Sequence, residues 1–212
     1  MNTASAAITS FAYGSLAIAS MHLFRADLAP AHHMISEYST GPYGLVMRSA
    51  FLAMGIGCMA FSIGLFRSGP AAILARISAF LLGVAALGLV TSAIFNMDLP
   101  GAPVTQAGEI HDMSFLVNVV SLLLAILLFS AACGRDERWR SFQRTSLLLA
   151  GLIVIAFVLQ FLSFRKGAPF GLANRFLLVT LFAWIFATSF RLRAIAASRP
   201  LPSASPTSRG AS

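Results

Sequence analysis

The chain has 212 residues, 58% of them hydrophobic and only 10% charged, with a mean hydropathy of +0.81. A water-facing surface needs roughly a quarter of its residues charged, so this composition excludes a soluble globular domain and asks for lipid as the solvent. The net charge of +8, from 15 Lys+Arg against 7 Asp+Glu, sits at the ends of apolar runs without interleaved aromatics, which argues against nucleic acid and for a membrane whose anionic lipid meets one basic face.

A span needs about 20 mostly apolar residues to cross a hydrocarbon core roughly 30 Å thick. Six stretches meet this, near Ala6–Phe24, Gly44–Phe66, Ala71–Phe95, Met113–Cys133, Ser146–Phe164 and Phe176–Ile195. Polar or Gly/Pro-rich breaks separate them, and no strand-like alternation supports a membrane barrel. The expected fold is therefore all-α, a polytopic bundle of six transmembrane helices over residues 1–197. The first run has no basic segment before it, and Tyr13, Ser15 and Ser20 interrupt its apolar stretch, so it reads as a span rather than a cleaved signal. After it comes a long polar loop from Arg25 to Tyr43, then spans two and three around a tight Arg67–Pro70 turn. Asn96–Asp112 leads into span four, Gly134–Thr145 into span five and Arg165–Arg175 into span six. The closing 198–212 segment, rich in Pro and Ser, cannot bury enough apolar area to offset its ordering entropy and reads as a disordered tail.

Orientation follows from the basic residues. Arg67, Arg76, the Arg135–Arg144 loop and the tail gather on one side. That side is expected to be cytoplasmic, with both termini inside and the protein in the plasma or inner membrane. The first and third loops then share the outer face and carry five of the seven acidic residues (Asp27, Glu37, Asp98, Glu109 and Asp112) together with His32, His33 and His111.

Within this face the residues at membrane depth matter most. His111 opens the fourth span, and Ser114, Asn118 and Ser121 follow at helical spacing on about one face. Arg48 lies about one turn inside the second span, where a lipid-facing cation costs on the order of 2.5–3.5 kcal/mol. Glu37 and Asp98 are its expected acid partners, either as a structural pair or as part of an anion clamp. Ser36, Glu37, Arg48, Asp98 and His111 form the candidate ligand-binding set. Ser, Thr and Asp at such positions also cap helices, so loop capping stands beside that reading. Cys58 and Cys133 fall in or at the end of apolar runs and read as packing residues, not a disulfide or thiolate site.

His32, His33, Asp98 and His111 could supply three ligands for zinc with an open water position, and Met beside His at several places would suit copper. No His pair at i, i+4 and no Cys pair gives a diagnostic spacing. A haem between His22 and His111, or a Ser36 hydrolase with His32 or His33 and Asp98, uses the same few residues. A proton-coupled transporter would want acids in mid-span, and the mid-span stretches contain none.

The run Ile35-Ser36-Glu37-Tyr38-Ser39-Thr40-Gly41-Pro42-Tyr43-Gly44, the early Arg48, Asp98 at the end of span three and Gly108-Glu109-Ile110-His111 together resemble the membrane family known as domain of unknown function 998. The likeness runs from about Ala6 to Phe190. It implies a six-helix fold with no established activity, and Ser36, Glu37, Arg48, Asp98 and His111 as the family signature. The Ile-Ser-acid loop and the fourth-span histidine are also distantly similar to the eukaryotic DRAM/Frag/Sfk six-span group, which is associated with lipid remodelling and autophagy. The two adjacent histidines, and the lack of a clear second proline loop, depart from that group. The expected function is therefore a multi-pass membrane protein that binds a lipid headgroup or small polar ligand in an outer-face pocket. The alternative is a metal-dependent hydrolase with Glu37 as general acid/base.

Overall fold

The computed structural model describes residues 3–165 and 167–198. The expected tail thus lies, after Ser198, outside the described residues. Six long helices carry the fold: α1 (Thr3–Phe24), α2 (Gly44–Ser68), α3 (Ile73–Ile94), α4 (Gln106–Cys133), α6 (Gln143–Leu162) and α7 (Phe170–Ala197), with the four-residue α5 (Glu137–Arg140) between α4 and α6. The six are long and apolar enough to cross a bilayer; at about 1.5 Å per residue, α1 alone is roughly 33 Å long. No strand occurs among the described residues.

The helices pack as a closed ring in the order α1, α2, α3, α4, α6, α7, with α7 returning to α1 and also touching α2 across the middle. Both described ends of the chain lie at one end of the bundle, here called the terminal end, with the 69–72 turn and α5. The 25–43, 95–105 and 163–169 connections lie at the other, distal end.

Helix boundaries differ from the apolar runs where polar residues join a helix. α4 starts at Gln106, seven residues before the apolar run, because Thr105 caps it by accepting from Gly108 N at 3.1 Å. α7 starts at Phe170 just after Pro169, so Asn174 and Arg175 lie on its first turns. The 25–43 loop contains a short 3-10 turn, Ile35–Ser39, every residue of which is buried.

At the terminal half the core is aromatic. Trp184 meets Phe61 and Phe129 edge-on, and Phe129 meets Trp139 the same way. The indole N–H of Trp184 donates to Ser146 Oγ at 2.9 Å, and Ser146 shares a 2.6 Å bond with Ser130, which donates to Ile126 O. Cys58 and Cys133 are buried free thiols. Just outside this end, Asp136 takes bonds from Arg138 and from Ala71 N. Chiefly through the Arg138 hydrogen bond, its carboxyl is held below the usual carboxylate range.

Candidate functional site

The 25–43 loop crosses the distal end of the ring and seats on the start of α7. Arg175 fastens it. Its guanidinium donates to Pro30 O (2.8 Å), His33 O (2.7 Å) and Gly171 O (3.0 Å), to the Tyr38 hydroxyl (2.9 Å) and to Nε2 of His22 on α1 (2.8 Å). His22 must offer a lone pair there, and its Nδ1 meets Ile18 O at 2.8 Å. The ring is therefore the Nδ1–H tautomer by its partners. Gly171 makes the seat possible, since a Cβ there would run into Pro30 O and His33 O.

Beneath the loop lies a cavity of about 70 Å³. Its distal wall carries Ser36 and Ile35 from the loop, Ser92 from α3, His111 from α4 and Asn174 from α7; deeper in it is lined by Asn118, about two turns further along α4, and by Phe11, Met54, Leu122, Leu181 and Ile185. These polar residues are all buried: His111 is 3% exposed, Ser92 5%, Asn174 6%, Asn118 7% and Ser36 9%. His111 Nδ1 meets Phe95 O at 2.8 Å, Asn118 Nδ2 donates to Ala85 O at 2.8 Å, and Asn174 Oδ1 accepts from Ile35 N at 3.2 Å. Ser92 and Ser114 share a 2.7 Å bond, and Ser114 donates to His111 O. The expected polar face of α4 is present, with His111, Ser114, Asn118 and Ser121 all buried.

The candidate set therefore divides. Ser36 and His111 meet at the cavity, brought together by the loop crossing the ring, with α1 packed between α2 and α7. Glu37, 1% exposed, turns back into its own loop. It accepts from Met34 N at 2.8 Å and pairs with His33 Nδ1 at 2.6 Å. Asp98 binds Thr105 through its backbone N–H (2.7 Å) and hydroxyl (2.8 Å), beside the first turn of α4. The expected pairing of Arg48 with Glu37 or Asp98 is not found. Arg48 instead donates to Ala93 O (2.8 Å) and Ile94 O (3.1 Å). The last carbonyls of a helix lack intrahelical donors and carry partial negative charge, which gives a neighbouring guanidinium its partner without a carboxylate. The Arg pinning α2 to α3 is thus a staple, and the loop-pinning Arg is Arg175.

The metal set His32, His33, Asp98 and His111 is not gathered either. His32 is exposed, His33 faces Glu37, Asp98 faces Thr105, and among the described residues no three of His, Cys, Asp and Glu stand close enough to hold an ion. The haem pairing fails on His22, both of whose nitrogens are taken.

Three residues of this region were not foreseen: Ser92, Asn174 and Arg175. The usable signal was position. Asn174 and Arg175 directly precede an apolar run, where polar groups at helical depth need partners.

Fold and cavity together describe a multi-pass membrane protein whose distal end is closed by a fastened loop. A family model described as protein of unknown function (DUF998) matches residues 6–191. The chain belongs to that family. No curated protein and no solved structure matches it.

Proposed function

We propose that this membrane protein binds the head of a membrane amphiphile in the cavity beneath the 25–43 loop, with the loop as its roof. The observation that carries this is an asymmetry. Three side chains no more than 9% exposed, Ser36, His111 and Asn174, line the distal end of a cavity whose deeper walls are apolar but for Asn118. A few polar groups around an otherwise apolar space are suited to a ligand that meets them, and that is the usual pattern of a binding site. Leu89, Phe115, Leu178 and Phe182 in its wall are only partly buried, which supports a lateral way in from hydrocarbon. Orientation supports an exterior-facing site in the plasma or inner membrane. Arg67, Arg76, Arg135, Arg140 and Arg193 lie at the terminal end, which the positive-inside rule assigns to the cytoplasm.

Native mass spectrometry of the purified protein tests this. The wild type should retain an adduct of amphiphile mass, and Asn174→Leu should lose most of it. An adduct missing from the wild type, or undiminished in the variant, counts against the cavity.

A further inference from the structure

We infer that the head bound here is uncharged and both donates and accepts hydrogen bonds, a hydroxyl or primary amide on an apolar chain, and that phosphate and carboxylate heads are rejected. The inference rests on the cavity-binding reading and narrows it. It begins with the atoms that the fold leaves free. Phe95 O can only accept, so His111 Nδ1 carries a hydrogen, and Nε2 is an acceptor whenever the ring is neutral. Ala85 O likewise fixes which end of the Asn118 amide is nitrogen, leaving Oδ1 as an acceptor. Ile35 N can only donate, so Asn174 turns its oxygen to the backbone and keeps its NH₂ free to donate. Ser36 Oγ can do either. None of these four atoms has a hydrogen-bond partner among the described residues.

A ligand that satisfies this set must give hydrogens to His111 and Asn118 and take one from Asn174. A primary amide has the two hydrogens and the acceptor to do so; a hydroxyl, with one hydrogen, meets one of the two acceptors and takes the Asn174 hydrogen, whereas an ionised phosphate has no hydrogen for either acceptor and an ammonium has no lone pair for the Asn174 NH₂. Charge points the same way. Among the described residues no Arg, Lys, Asp or Glu lines the cavity, and His111 is its one titratable group. The nearby ions are committed elsewhere: Arg48 to the end of α3, Arg175 to the loop, Arg25 to Asp27 and Thr40 O, Glu37 to His33. A cation entering here would be desolvated with no counter-charge, and an anion would find none but a protonated His111. Size agrees as well. About 70 Å³ is several times the roughly 10–15 Å³ that one buried water needs on the same measure, so the cavity admits a small head.

The test uses the full chain in phosphatidylcholine nanodiscs and radiolabelled dodecanol, read by scintillation proximity. Saturable dodecanol binding should be displaced by dodecanamide. Dodecyl phosphate and dodecylamine should compete at least about tenfold more weakly, the loss expected from one or more unmet hydrogen bonds. Glycerol, a head without a chain, should not compete. Asn118→Leu and Asn174→Leu should each weaken dodecanol by about tenfold. Equal or tighter competition by dodecyl phosphate overturns the neutral-head inference and leaves the cavity reading standing, and displacement by glycerol overturns the chain. Saturable dodecanol binding that neither variant changes puts the head outside the cavity and overturns the inference. No saturable binding of any probe removes both readings; the competition series needs only the wild type, so a poorly folding variant does not blunt it.

Discussion

Arg175→Met should free the 25–43 loop while leaving the helix bundle intact. The guanidinium makes three contacts to the loop itself, with Pro30 O, His33 O and the Tyr38 hydroxyl, besides those to His22 and Gly171 O. Hydrogen bonds to a charged group contribute about 1.5–3 kcal/mol when buried. Arg175 is only partly buried and water replaces part of what is lost, so about 1 kcal/mol per loop contact, or about 3 kcal/mol in all, is the reasonable magnitude. Hydrogen exchange read by mass spectrometry measures this as local opening. Amides of the 34–40 segment, protected by the Met34, Glu37 and Thr40 bonds, should exchange about a hundredfold faster. Arg175→Lys, able to keep one contact, should fall between. Unchanged exchange in that segment, or an equal rise through all six helices, would refute the latch.

Gly108→Ala should destabilise by about 1 kcal/mol although Ala favours helix, because its Cβ meets the Asp98 carboxylate and dislodges the Thr105 cap; thermal unfolding in detergent reads the sign. Ser146→Ala removes the acceptor of the Trp184 indole and the partner of Ser130. An equilibrium unfolding titration should show a loss of about 1 kcal/mol, the usual size for a bond between helices in a membrane. Because the folded Asp136 carboxyl titrates below its unfolded value, its contribution is whole above about pH 4 and is lost as pH falls through the lower, folded value. The melting temperature of Asp136→Asn should accordingly depend less on pH than that of the wild type below about pH 4.

The spans were legible because a bilayer imposes length and apolarity on every crossing segment. Their polar extensions were not: Gln106–Asp112 joins α4 with Thr105 as its cap, and Asp98 holds Thr105, a contact between residues whose separation a hydropathy count cannot see. The buried polar face of α4 could be read from the spacing of His111, Ser114 and Asn118. Its partner across the cavity could not, since Asn174 is brought there by a ring closure that depends on packing. Arg48 shows the reverse error. Depth in the membrane correctly signals that a cation needs a partner, but two carbonyls at the end of α3 serve as well as the carboxylates that charge alone suggests.

Photolabelling bears most directly on the cavity. A long-chain alcohol carrying a diazirine beside its hydroxyl, activated in membranes containing the protein, should mark residues of the cavity wall such as Asn118, Leu122 and Leu181, with labelling suppressed by excess dodecanol. Labelling confined to outward-facing side chains such as Leu116, Val120 and Val179, with no suppression, would mean that the alcohol sees only the lipid surface of the bundle.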